Sequence, residues 1–536
     1  NVLIYFLLNI FNYRLTWHKK RKADMTEKAI VIGSGFGGLA SAIRLLKKGY
    51  EVTILEAMDQ LGGRAAVFKQ DGYTFDAGPT VVTAPYLLNE LFEMHGEDPK
   101  NYFTLKPCDP FYRIMFHDNS TFDYVGDEER MLENIRKLSP QDVDGYKKLA
   151  KHAKEIFDVG YTELADEPFD TVPSMLRAIP DMLRLQNYRT VYGLVSKYIK
   201  DERLRQAFSF EPLLVGGNPT KITSIYLLIH WLERKWGVHF AMGGTNQLIS
   251  AMEKLLLKKG AIIKTNASVK RIDVKNGKVK GLWTTNEVYH EADLIVSNAD
   301  PVRVYRDMIE AKDRKKHTDR ALARKSHSMS LFVAYFGTKK TYENLAHHTI
   351  VMGPRYQGLL DDIFSKKKLA DDFSLYLHAP TRSDSSMAPD GHECFYVLSP
   401  VPNQLSGINW KNEENRYKEA IYKSLEQRLL PGLMDNLTVD FHVQPQYFEN
   451  TLQSEKGAAF GIEPSFQQSA YFRFHNRSED IEGLFFVGAN THPGAGMPGV
   501  LCSAKVLDKV VPAATFKAQS IKPISGVSSF SGLELQ

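Results

Sequence analysis

An α/β fold is what this sequence predicts, on three observations. The stretch "KAIVIGSGFGGLASAIRLLKKGYEVTILE" (28–56) reads as strand, glycine turn, helix, strand. A second glycine-rich turn, "THPGAGMPG" (491–499), follows another apolar strand near the far end of the chain. Between them "IIKTNASVKRIDVKNGKVKGLWT" (262–284) alternates as a hairpin about Asn276-Gly277. Such a pattern builds a Rossmann-like nucleotide domain assembled from separated stretches, joined to an α+β domain and a helical part.

Taken in order, Ala29 to Ile32 form an apolar run of strand length. Gly33 makes the tight turn, Gly35 lets the backbone approach a pyrophosphate, and Gly38 lets helix and strand pack closely. The helix from about Gly37 turns Leu39, Ala40, Ile43 and Leu46 to one side, and Lys47, Lys48 and Gly49 close it. Its N-terminus is the natural seat for phosphates. Glu56 ends the second strand, where an acid accepts from a ribose hydroxyl.

That loop does not separate NAD from FAD. The Gly62-Gly63-Arg64 turn that follows brings backbone N–H groups and a guanidinium to the same anion. In "FDAGPT" (75–80), Ala77, Gly78 and Pro79 suit a backbone that runs against a flat ring system. Gly243-Gly244-Thr245 opens an amphipathic helix with Leu248, Ala251, Met252 and Leu255 inward. Strand, turn and helix return at 484–510, with Pro498 in the first helical turn. After that helix only a polar tail remains, so the second glycine motif is read as the far end of one site rather than as a second nucleotide unit.

Composition narrows the function. Lys and Arg number 68 against 63 Asp and Glu, giving a formal net charge of +5. This dispersed, mildly basic balance argues against a nucleic-acid partner and is compatible with an anionic membrane surface. Cys108, Cys394 and Cys502 have no metal-ligand spacing. Adjacent His347 and His348 are expected to point apart on a strand, so no metal site is expected. Residues 1–24 carry an apolar run broken by Asn9, Asn12 and Arg14, too short to span a bilayer. They are read as an extension outside the fold, and 518–536 as a disordered tail.

The run from Gly33 to Arg64, "FDAGPTVVT", "FSFEPLLVGGNP" (208–219), "AMGGTNQLI", "SNADP" (297–301) and "HNRSEDIEGLFFVGANTHPGAGMPG" together resemble the bacterial-type phytoene desaturases, FAD-containing carotenoid desaturases of the flavin amine-oxidase-like superfamily. The likeness runs in order from about Met25 to Lys509. It implies FAD as the bound redox cofactor, successive desaturation of phytoene to lycopene, a quinone or oxygen as electron acceptor, and a cytoplasmic enzyme held peripherally on a membrane lipid surface. Related readings are a desaturase acting on C30 diapophytoene or an oxygenated carotenoid, or one stopping at neurosporene or zeta-carotene. More remote are a non-catalytic prenyl-binding protein and an amine oxidase of the same fold.

The resemblance also implies site residues. Val269 is expected to touch the adenine end through its backbone, and the helix opening at Gly499-Val500 to point at the flavin pyrimidine edge. The superfamily often has an Asp after the strand glycine. Here Gly488 is followed by Ala489 and Asn490, so Asn490 or a backbone group is expected to hold the ribitol. Arg177 and His492 are the expected catalytic residues, although Ser174 stands where family members often carry an acid paired with that Arg.

A hydrocarbon substrate requires a long apolar tunnel. Residues 173–205 interleave apolar and basic side chains as a membrane-surface helix would. The expected organisation is an FAD-binding domain from 25–99, 237–310 and 480–517, a helical substrate and membrane-associating region at 100–236, and a substrate domain at 311–479.

Overall fold

The computed structural model describes residues 26–515. The expected N-terminal extension (1–24) and C-terminal tail (518–536) lie outside the described residues.

Five parallel strands form one sheet in the order Leu484–Phe486, Leu294–Ser297, Lys28–Ile32, Glu51–Leu55, Ile262–Lys264. The central strand is apolar on both faces, as a strand covered by helices must be: Ala29 to Ile32 are all buried. Helix Phe36–Lys47 covers the sheet, and the helices Asn246–Lys258 and Met497–Val510 pack against it. Strands from the beginning, middle and end of the chain therefore point their C-terminal ends at one edge, where α/β sheets bind ligands. The hairpin Val269–Lys275 and Lys278–Thr284 turns at Asn276 and Gly277, both with positive φ.

A second, seven-stranded sheet runs Leu437–Val443, Ser330–Thr338, Glu393–Val401, Leu375–His378, His348–Val351, Tyr112–Met115, Thr121–Tyr124. It is antiparallel except where Tyr112–Met115 meets His348–Val351. Ser330–Thr338 is buried throughout, because both faces of this sheet are covered.

Two expectations are corrected. Residues 100–236 are not wholly helical: their 112–124 hairpin supplies the last two strands of the large sheet, its alternation burying Tyr112, Ile114, Phe122 and Tyr124. Residues 173–205 are not one helix. The chain breaks at Gln186 (φ 57°), then restarts at Thr190, whose side chain accepts from Gly193 N, and at Asp201, which accepts from Arg203 N. Only Val172–Arg184 presents an exposed apolar face; in Val191–Tyr198 the apolar side is buried. Among the described residues no helix is long and apolar enough to cross a membrane.

Candidate active site

A continuous cavity of about 520 Å³ opens at the C-terminal edge of the parallel sheet and runs on beneath the large sheet. Its polar end is built by the loops that end the strands. Gly33 has φ 86°, a turn that L side chains rarely adopt. A Cβ on Gly38 would lie 2.0 Å from the Gly33 carbonyl oxygen, so strand and helix approach as closely as backbone allows. Gly35 caps helix Phe36–Lys47 without a side chain, which leaves the helix N-terminus facing the cavity.

Glu56 is buried at the end of its strand and lines the same space. It accepts from Ser34 N (2.8 Å), Ser34 Oγ (2.6 Å) and Met58 N (2.9 Å), and a carboxylate has acceptor capacity left for a hydroxyl. Arg64 is partly buried, and the desolvation pulls its guanidinium below the usual range, with Asp300 opposing the shift. Its Nη2 donates to Ser454 Oγ at 3.0 Å while the buried Nε has no partner. Its buried, unused Nε leaves a donor for a further anion. Gly63, Gly78, Pro79, Val269, Gly499 and Val500 all line this end.

The two glycine loops are one construction. The Asn298 side chain sits between them: a Cβ on Gly35 would meet Nδ2 at 2.8 Å, and one on Gly37 or Gly488 would meet Oδ1 at 2.5 or 2.6 Å. Asn298 follows the Leu294–Ser297 strand, between the first and last strands of the chain in the sheet, and it lines the cavity. Sequence reasoning passed over it. A polar residue directly after a predicted middle strand was the available signal.

Beyond the loops the lining turns apolar, with Phe210, Leu232, Met329, Leu331, Ile350 and Met352 among the walls. Two carboxyls unforeseen from the sequence interrupt it. Asp76 accepts from Thr245 N at 2.7 Å, and burial lifts it to about 7. Glu233 accepts from Tyr112 OH at 2.6 Å, and burial pushes it well above the carboxylate range. Each keeps one oxygen without a partner. Behind Glu233, Glu211 accepts from Tyr124 OH at 2.5 Å, which also meets His230. Burial raises Glu211 and depresses His230, so this interior is kept uncharged.

Several expected site residues lie elsewhere. Arg177 is exposed on helix Val172–Arg184 and does not line the cavity. His492 does not line it either; its ring packs 5.2 Å from Phe169 on the other side of the turn, and burial lowers it to about 4. Asn490 is turned away, its Oδ1 accepting from Ile462 N at 2.6 Å, and a Cβ on Gly461 would clash with it. Gly488 donates its N–H to Ser503 Oγ rather than into the cavity. Of that turn, Ala489, Pro493 and the 494–500 backbone are what reach the lining. Gly78 is required by the Arg64 carbonyl, 2.2 Å from where its Cβ would be, a tighter constraint than a flat ring would impose.

The adjacent histidines also depart from expectation. The strand begins at His348, so His347 precedes the alternation, and the two rings converge to 4.4 Å between centroids.

Known proteins share this design. The model of the flavin containing amine oxidoreductase family matches residues 36–505. A lycopene-forming phytoene desaturase of Pseudescherichia vulneris is 46% identical over 480 residues, 89% of this chain and 98% of the relative. A neurosporene-forming phytoene desaturase of Rhodobacter capsulatus is 41% identical over 491 residues, 90% and 94% of the two chains. An oxidoreductase of Methanosarcina mazei has the same fold, with a TM-score of 0.62 at 17% identity over 90% of this chain and all of that one. The chain is a member of the flavin containing amine oxidoreductase family and, within it, of the phytoene desaturases.

Proposed function

We propose that this protein is an FAD-dependent desaturase that converts phytoene to lycopene by successive removal of hydrogen from adjacent carbons. The observation that carries the reading is the continuity of the cavity: a dinucleotide cradle opens directly into a chamber walled mainly by apolar side chains, with its carboxyls Asp76 and Glu233 raised by burial. A hydrocarbon needs such a chamber, and an amine or an alcohol would need fixed polar partners there.

The residues present fit FAD. Glu56 suits a ribose hydroxyl, the bare helix start at Gly35 and the orphaned Arg64 Nε suit a pyrophosphate, and Val269 offers backbone at the far end of the lining. When bound, FAD supplies a hydride acceptor. The protein's own residues do the rest. The apolar walls hold the chain of the substrate and keep water from the reacting carbons. Asp76, lifted to about 7, is partly ionised near neutrality, and its unpartnered Oδ2 can take the departing proton. Glu233 remains protonated and keeps the chamber neutral. Electrons pass onward to a quinone or oxygen.

Access for the substrate is through lipid. Val172, Leu176, Ile179 and Leu183 are exposed at helical spacing on Val172–Arg184, and Phe466 and Phe472 are exposed beside them, the Ala470–Phe472 turn packing on this helix. Exposed Arg177, Arg184 and Arg189 flank the face. Apolar side chains bordered by cations suit peripheral attachment to an anionic bilayer; Arg177 fits that role.

The test is expression in a host that accumulates phytoene, followed by pigment extraction and absorption spectroscopy. Lycopene is expected. Unchanged phytoene beside a flavin-loaded protein would overturn the substrate, and neurosporene would set a lower number of steps.

A further inference from the structure

Behind the wall of the cavity, outside the residues used above, four side chains with metal-ligand chemistry converge. Cys108 follows the short strand Leu105–Pro107, His348 opens the strand His348–Val351, and His378 ends Leu375–His378. His348 and His378 are register partners in the antiparallel ladder, and His347 immediately precedes the strand. All four are buried.

The donor atoms are spaced as ligands are. One donor each from Cys108, His347 and His348 lies within 4.8 Å of the others. Cys108 Sγ is 3.8 Å from His348 Nε2, and His347 Nε2 is 3.1 Å from His378 Nε2. Bond lengths of about 2.3 Å to sulfur and about 2.05 Å to nitrogen in a tetrahedron put neighbouring ligands roughly 3.3 to 3.6 Å apart. Bringing Cys108, His347 and His348 onto one ion therefore takes modest side-chain adjustments, while His378 reaches His347 but stands outside the set whose donors all lie within 4.8 Å of one another.

The far side of two rings is already fixed. His347 Nδ1 meets Ser383 Oγ at 2.7 Å, and His348 Nδ1 meets Tyr376 OH at 2.7 Å. Outer hydrogen bonds of this kind hold the ring orientation and direct Nε2 away from them. All four groups are buried and present nitrogen and sulfur donors rather than carboxylates. A bound cation displaces the Cys108 thiol proton to solvent and forms a thiolate bond.

We propose that Cys108, His347 and His348 form a buried structural site for a zinc-class divalent cation, with His378 held beside it by His347. Sulfur and imidazole donors without a carboxylate favour zinc over magnesium or calcium. None of the three ligands lines the cavity, which assigns the ion a fastening role rather than a catalytic one. It would tie the segment after Leu105–Pro107 to the start of the strand His348–Val351. Tyr376, which lines the cavity and also bonds Thr80 Oγ1 at 2.9 Å, stands one hydrogen bond away.

The experiment is metal analysis of the full-length, flavin-loaded protein expressed in zinc-supplemented medium and washed with a chelator. Zinc and flavin are counted per chain in the wild type, Cys108→Ser, His348→Gln and Cys394→Ser, the last a buried thiol outside the cluster. About one zinc per chain is expected in the wild type and in Cys394→Ser, with at least a tenfold loss in Cys108→Ser and His348→Gln at unchanged flavin content. Flavin-loaded wild type with far less than one zinc per chain would overturn the site and leave a hydrogen-bonded histidine cluster. Zinc retained equally by Cys108→Ser and His348→Gln would overturn it as well. Should His348→Gln fail to fold, the wild type and the near-isosteric Cys108→Ser still decide.

Discussion

Two glycines of the first loop region separate packing from conformation. At Gly38 a methyl group would be driven into the Gly33 carbonyl in the turn directly after the central strand, which has little room to move. At Gly63 nothing lies within 4 Å, and only a φ of 54° resists a side chain. Gly38→Ala is therefore expected to yield protein without flavin, overpacking costing about 1–3 kcal/mol at the cofactor loop. Gly63→Ala should cost about 1–2 kcal/mol and stay yellow. Flavin absorbance per chain checks both, and equal loading of the two variants would contradict the packing argument. Asp76 gives a pH signature. Its folded value near 7 lies above the unfolded 3.8, so the folded chain prefers the protonated acid. The stability this contributes is full below about 4 and is lost as pH rises to about 7, at up to ~1.4 kcal/mol per pH unit. Asp76→Asn should flatten that slope, as followed by thermal unfolding between those limits, and should lower turnover if the carboxylate receives the proton. Wild-type turnover in the variant would remove Asp76 from the reaction.

At the scale of elements, helix Val172–Arg184 is the one that local rules do not explain. Amphipathic helices turn their apolar stripe to the core, yet here Leu176 and Leu183 are 54% and 61% exposed. The proposed lipid surface would account for that orientation. Leu176→Ser with Leu183→Ser should lower binding to anionic vesicles at least tenfold, because each buried leucine contributes about 1.5–3 kcal/mol, with flavin content unchanged. Co-sedimentation measures it, and undiminished binding would move the membrane contact elsewhere. The sequence showed this helix but also fused to it two that are buried, because alternation of apolar and basic residues does not reveal which stripe meets a neighbour. The stops were nonetheless written locally: Thr190 and Asp201 are good N-caps. The 112–124 hairpin was missed for the opposite reason, since its partner strand His348–Val351 lies more than two hundred residues away.

The whole molecule is organised by the meeting of distant loops, and this decides what a sequence can reveal. The glycines were legible because each obeys a constraint within a few residues of itself. Asn298, Asp76 and Glu233 were not, since their positions depend on the sheet bringing strands from three stretches to one edge and on burial no local pattern encodes. Asn490 and His492 were misplaced because a motif fixes the backbone of a turn without fixing which way each side chain leaves it. The same architecture yields a test of whether one cofactor spans both glycine motifs. If FAD closes a site shared by 33–38, 62–64 and 494–500, adding it to stripped protein should protect all three from hydrogen exchange at a common concentration. Mass action at a hundredfold excess over Kd should add about 2.7 kcal/mol of stability. Protection confined to 33–38 and 62–64, with 494–500 exchanging as before, would mean that the last helix closes the fold without touching the cofactor. Protection of all three together would make the 484–510 segment part of the flavin site, so that any truncation before Leu484 should lose the cofactor along with the edge strand.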